Sequence, residues 1–275
     1  MDESLSILIS TMYQTDINFV YKMFPEHDIR KLNLVIINQT SSDNLLESDL
    51  ENIQIQNSFE FGLSKSRNQA IELCQTKYAV LADDDLIYQN DVLEKIQNAY
   101  QYHPDATLLS FKLVGSKDQP YKKYPYGNQQ LKVRGDSFML SSAEISINIE
   151  KVKQNGLQFC EYFGLGGKFN SCEETLFLRS LLKRNLKAFF VDQVIAIHED
   201  KGSGNDPLSK EFVHALSACQ FFMYGYGSFI WLLYYLYQMK KTGSVTKHQL
   251  KSAFDSGSKG INEANQLKKD IVKQL

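Results

Sequence analysis

Three consecutive carboxylates, Asp83-Asp84-Asp85, follow the apolar run Tyr78–Ala82 (YAVLA) without a break. Like charges this close raise one another's proton affinity or recruit a cation. In an extended segment Asp83 and Asp85 project to one side, which suits a hard cation such as Mg²⁺ or Mn²⁺ with open positions for phosphate oxygens. The plain alternative is an acidic turn that caps the next helix. A second acidic pair, Glu173-Glu174, precedes Leu176, Phe177, Leu181 and Leu182, an apolar face at helical spacing. Ser171 with Glu174, or Asn170 with Glu173, matches a capping box, which would account for these glutamates structurally. Chemically, either glutamate could take the proton of an attacking hydroxyl. The glycine loop Phe163-Gly164-Leu165-Gly166-Gly167 just upstream would let backbone approach a ligand closely. His198 closes an apolar run and is followed by Glu199 and Asp200, so it suits either a surface network or a metal or diphosphate contact.

These residues need elements to hold them. Leu5–Ser10 and Leu32–Asn38 are apolar runs suited to strands buried on both faces. Gly62–Thr76 reads as a glycine turn feeding a helix, Tyr78–Ala82 as a strand, Asp91–Tyr102 as a helix and Thr107–Leu113 as a strand. Strand and crossover helix in alternation imply a mostly parallel α/β sheet with right-handed connections. The aspartates then stand beyond the carboxyl end of a strand, where open α/β sheets bind ligands. From about Gly115 to Asp136 the chain reads as loop. Elements follow at Ser137–Ile147, Cys172–Arg184 (helix) and Ala188–His198 (strand), and Lys201–Asp206 is flexible by composition.

The 275 residues are 43% hydrophobic and 12% aromatic, enough for one large α/β domain or for one domain plus an appendage. A formal charge of −2 provides no global basic field for nucleic acid, although Lys112–Lys132 holds a small cluster of lysines and tyrosines. Cys74, Cys160, Cys172 and Cys219 are scattered without metal-ligand spacing, as expected of reduced thiols. The opening MDESLSILIS lacks the basic region and long apolar core of a signal peptide, so a cytoplasmic location is expected.

In order along the chain stand Ser10-Thr11, Val35-Ile36-Ile37-Asn38, Gly62-Leu63-Ser64-Lys65-Ser66-Arg67-Asn68, Asp83-Asp84-Asp85 and Glu173-Glu174-Thr175-Leu176-Phe177-Leu178. This succession resembles glycosyltransferase family 2, from about Leu5 to His198. The resemblance implies a GT-A fold over residues 1–205, with a helical C-terminal appendage over 206–275. It implies an inverting transfer from a nucleotide sugar, expected to be a UDP-sugar, to a hydroxyl of a saccharide or lipid-linked acceptor, in polysaccharide or glycolipid assembly. Ser10, Thr11, Asn38, Arg67, Asp83 and Asp84 would lie near the nucleotide. Asp85, with Asp83 and His198, would hold Mg²⁺ or Mn²⁺. Glu174 aligns with the catalytic base and Glu173 with the carboxylate before it. Two departures stand out: Asn38 replaces an aspartate that contacts the base in many relatives, and Glu174 replaces the commoner aspartate. The rival classes are a sugar nucleotidyltransferase and a non-catalytic scaffold. Ser10-Thr11-Met12-Tyr13-Gln14 lacks the glycine- and lysine-rich loop of the former, and the intact acidic motifs weigh against the latter.

Phe212–Met239 contains no Asp, Glu, Lys or Arg over 28 residues. Its densest apolar part, Phe229–Tyr237, is too short to span a bilayer. Tyrosines and a tryptophan followed by Lys240-Lys241 suit a helix at a membrane surface, and so a peripheral position on the inner face of the cell membrane. They equally suit packing on the domain or in a homodimer.

Overall fold

The computed structural model describes residues 4–115, 119–132, 140–198, 206–242 and 245–275. The flexible segment expected before Asp206, parts of the loop between Gly115 and Asp136, the start of the Ser137–Ile147 element, and Glu199 and Asp200 lie outside these. The chain divides into two compact units.

The first unit carries a nine-stranded sheet among the described residues. Its strands are β1 (Leu5–Met12), β2 (Asn33–Gln39), β3 (Ile53–Ser58), β4 (Tyr78–Asp83), β5 (Leu86–Tyr88), β6 (Ala106–Val114), β7 (Gln129–Gln130), β8 (Ile145–Asn148) and β9 (Lys187–His198). The order is β3-β2-β1-β4-β8-β6-β9-β5, with β7 also on β9. Strands β1, β2, β3 and β4 are mutually parallel, and β6 and β9 pair in parallel. The intervening β8 is antiparallel to both β4 and β6, so six strands share one direction. The expected parallel bias therefore holds, with β5, β7 and β8 reversed. Ile7 and Ile9 pack into a core with Ile36, Val80, Phe19 and Ile96, while Leu8, Val35 and Leu81, on the opposite face, are buried as well. Burial on both faces is why these strands are continuously apolar. Helices α1 (Asn18–Met23), α2 (Leu63–Leu73), α3 (Val92–Tyr102), α4 (Ile149–Gln154) and α5 (Glu173–Lys183) complete the alternation; most of α2 and the part of α5 from Phe177 on belong to this unit.

One buried ionic network ties the segment after β6 to the sheet. Glu144 has no exposed surface. Its carboxylate accepts from Lys122 Nζ at 2.7 Å and from Tyr124 Oη at 2.6 Å. Burial pushes the Glu144 proton affinity up, and the Lys122 ammonium opposes that shift.

The second unit comprises Gly62–Ser64, Phe159–Leu176 and the C-terminal helices α6 (Lys210–Tyr224), α7 (Ser228–Thr242), α8 (Lys247–Gln266) and α9 (Lys268–Gln274). Its core includes Phe163, Phe169, Leu176, Val213, Leu216, Leu232, Leu236 and Ile261. All four cysteines of the chain are free and buried. Burial pushes the Cys160 thiol up to about 11. Hydrogen bonding to Cys219, aided by burial, holds Cys172 well above the usual thiol range. No helix among the described residues is long and apolar enough to cross a membrane.

Close approach of α6 and α8 depends on missing side chains. A Cβ at Gly260 would lie 2.2 Å from the His214 carbonyl oxygen, and one at Gly257 would lie 2.7 Å from Ser217 Oγ. Backbone cannot yield as a flexible side chain would, so Gly260→Ala is expected to force the helices apart. Overpacking of this kind costs about 2–3 kcal/mol. A urea titration should show the midpoint fall accordingly. An unchanged midpoint would mean that the helices separate without cost.

Candidate active site

Parallel register assembles the first cluster. Strand β1 pairs with β2 so that Thr11 faces Asn38, and with β4 so that Ser10 faces Asp83. The carboxyl ends of three adjacent strands therefore present Asn38, Ser10, Thr11 and Asp83 in one row, the ligand-binding end of such a sheet. From α2, Ser66 Oγ donates to Ser10 Oγ at 2.8 Å, and Arg67 Nη2 donates to Asp83 Oδ1 at 3.2 Å. Arg67 is almost wholly buried, so its charge is directed at Asp83 rather than into solvent. The second oxygen of Asp83 accepts from Ser142 Oγ at 3.1 Å.

Strand β4 ends at Asp83, and Asp84 and Asp85 form the turn into β5. Alternation along an extended segment thus stops at Asp83 and does not fix where Asp85 points. Asp84 turns back toward β1, where Oδ2 accepts from Thr11 Oγ1 and from Gln14 Nε2, the latter at 3.2 Å. Asp85 faces the other way. Because Leu86 pairs with His198 in the β5–β9 ladder, the neighbouring Asp85 meets that imidazole, with Oδ2 3.7 Å from Nε2. The His198 ring is held by Tyr121, 4.7 Å away between centroids. Partial burial, and next the charges of Asp83 and Asp84, raise the Asp85 proton affinity, while His198 lowers it. The Asp85 side chain is 59% exposed, more open to solvent than Asp83 at 31%.

Asn38, expected near the nucleotide, is held within the protein. Its side chain has no exposed surface. Oδ1 accepts the Gln14 N–H at 3.1 Å, and Nδ2 donates to the Gln14 carbonyl and to Asn57 Oδ1, each at 2.9 Å. Asn38 therefore shapes the turn after β1, placing Gln14 against Asp84. In that turn Tyr13 adopts a positive φ of 55° and is exposed, beside Phe61 at 5.7 Å between ring centroids. Gln14 and Ser142, which hold two of the three aspartates, carry no motif signal and were not singled out in the sequence.

The two glutamates stand at the head of α5 in the second unit. Leu176 N–H donates to the Cys172 carbonyl, which makes Cys172 the capping residue, and its φ is 75°. Glu173 and Glu174 are thus the first two helical residues, one turn position short of where a Ser171–Glu174 capping box would need them. Glu173 is buried and Glu174 is partly exposed. The glycine loop packs on Glu173: a Cβ at Gly164 would lie 3.0 Å from its carboxyl carbon and 3.1 Å from Ser64 Oγ. Gly164 has a φ of +94°, the Gly167 N–H donates to its carbonyl at 2.9 Å, and Ser64 Oγ donates to the Phe163 carbonyl at 2.6 Å. Gly164→Ala combines a strained φ with a collision against a carboxylate. We expect it to shift Glu173 and Glu174 and to cut turnover at least tenfold, an effect read by comparing kcat with the melting temperature. Full activity would detach the loop from the glutamates.

The donor set of the first cluster fits a divalent cation that takes most of its ligands from a substrate. Asp85 at the turn and His198 at the end of β9 could offer one oxygen and one nitrogen, while Asp83 and Asp84 are held by protein donors. Among the described residues no group of three or more His, Cys, Asp or Glu side chains is placed to hold a metal.

A mostly parallel sheet with acidic residues at its carboxyl edge, and an acidic pair at a helix start, belong to a recognisable class. The family model for glycosyl transferase family 2 matches residues 26–174, just over half of the chain, and the protein belongs to this family and is a glycosyltransferase. Its fold is similar to the GT-A fold of S. aureus TarS. The crystal structure of TarS 1-349 matches with a TM-score of 0.53 at 12% identity, covering 94% of this chain and 71% of that one. The TarS 1-349 complex with UDP-GlcNAc gives a TM-score of 0.54 at 14% identity, covering 91% and 70%. The complex with UDP gives 0.52 at 14% identity, covering 79% and 65%. No curated protein matches in sequence.

Proposed function

We propose that the protein transfers a sugar from a UDP-sugar to a hydroxyl of a saccharide or lipid-linked acceptor, with inversion at the anomeric carbon. The product class would be a surface polysaccharide or glycolipid. The observation that carries this reading is the division of labour among the three aspartates, with Asp83 and Asp84 clamped and Asp85 open beside His198. The TarS complexes with UDP and UDP-GlcNAc support a UDP-sugar as donor.

In this mechanism Thr11, Gln14 and Ser142 fix the acidic turn, and the charge of Arg67 balances Asp83. Asp85 and His198 would hold Mg²⁺ or Mn²⁺, which when bound neutralises the diphosphate and stabilises it as a leaving group. Glu174 accepts the proton of the acceptor hydroxyl as the new glycosidic bond forms. The buried Glu173, braced by Gly164, sets the start of α5 so that Glu174 is presented. Reaction in the cytoplasm is consistent with four buried free thiols.

The test is to offer UDP-sugars one at a time with Mn²⁺ and follow UDP release, with proton NMR of the anomeric signal on any product. Release from one UDP-sugar and an inverted anomeric centre would support the reading. Release from none, or a retained configuration, would reject it.

A further inference from the structure

We infer that the outer face of α7 docks on an anionic lipid surface. On an ideal helix Ile230, Leu233, Tyr234 and Tyr237 fall within a stripe about 100° wide. All four are exposed, Ile230 at 74% and Leu233 at 58%. The opposite face is already used, since Leu232 and Leu236 are buried in the core of the second unit. A helix apolar on both sides normally has cover on both, and among the described residues the outer side of this one is open. Tyr226, just before the helix, is exposed as well and extends the patch.

The chemistry of the rim selects the occupant. Between Glu211 and Asp255 the sequence has no Asp or Glu, while Lys240 and Lys241 end the stripe and Lys247 and Lys251 follow. The Lys241 ammonium lies 5.0 Å over the Tyr237 ring, at the border between apolar and charged surface. Tyrosines at the edge of an aliphatic patch with adjoining lysines match the headgroup region of a bilayer, where rings sit at the interface and ammonium groups meet phosphates. A second copy of the same face would bring Lys240 and Lys241 against their own counterparts. Charge complementarity therefore favours anionic lipid over self-association.

The test is co-sedimentation of the full chain with phosphatidylcholine vesicles, with and without phosphatidylglycerol, together with light scattering of the protein alone. The expected result is binding that needs phosphatidylglycerol and falls as salt rises. Ile230→Glu with Leu233→Glu should weaken it at least tenfold, the loss of one buried aliphatic side chain or more. Lys240→Gln with Lys241→Gln should weaken it roughly tenfold or more. Both variants should keep the melting temperature and UDP binding of the parent. Absence of binding to anionic vesicles would overturn the inference, as would unchanged binding by the Glu variant or a dimer that the same substitutions dissolve. It stands apart from the donor reading, because vesicle binding and UDP binding are scored separately.

Discussion

Glu174→Gln is expected to lower sugar transfer by about 10²–10⁴-fold, the range for loss of a positioned general base. The two side chains have nearly the same volume and reach, so packing at the head of α5 should survive. What is lost is the ability to take a proton. An acceptor hydroxyl is a poor nucleophile until that proton leaves, so the cost should fall on kcat. UDP affinity and melting temperature should stay with the parent. Glu174→Asp keeps the carboxylate and shortens the side chain by one methylene, so it should retain part of the activity. A Gln variant with full transfer would leave Glu174 as a helix-terminus residue with only a dipole role.

The second large effect is expected at Asp85→Ala. Loss of outer groups that merely orient a metal ligand costs about 10–100-fold in affinity, so if Asp85 is one of two protein ligands as proposed, its loss should cost at least roughly 100-fold. The expected pattern is loss of Mn²⁺ binding, read by the electron paramagnetic resonance signal of the free ion. The Mn²⁺-dependent part of UDP affinity should fall with it. Because Asp85 is more than half exposed and lies in a turn, the substitution should leave folding intact. Metal binding equal to that of the parent would remove Asp85 from the site and return the acidic triplet to a turn role.

Much of the fold was legible because its central strands are buried on both faces. Leu5–Ser10, Leu32–Asn38, Tyr78–Ala82, Thr107–Leu113 and Ala188–His198 all coincide with strands to within one or two residues at each end. Strand β3 (IQIQNS) carries no strand signal because Gln and Asn break its apolar pattern, which an edge strand tolerates. Strand β5 is three residues long, too short for periodicity to reveal. The β5–β9 register is nevertheless what brings His198 to Asp85. Both residues were singled out in the sequence, but their proximity depends on a pairing with no local signal. Asn38 shows the converse. Its place at a strand end was legible, yet its partners Asn57 and the Gln14 backbone come from other segments. The capping box at Ser171 failed through a shift of helix start set by the conformation of Cys172. Local sequence seldom carries that information.

The acidic turn after β4 is proposed to serve a nucleoside diphosphate through a divalent cation. Calorimetric titration of UDP, and separately GDP, into the full chain with and without Mn²⁺ tests it most directly. The expected result is binding of UDP that requires Mn²⁺, with GDP weaker. Binding of neither nucleotide, or UDP binding indifferent to Mn²⁺, would contradict it.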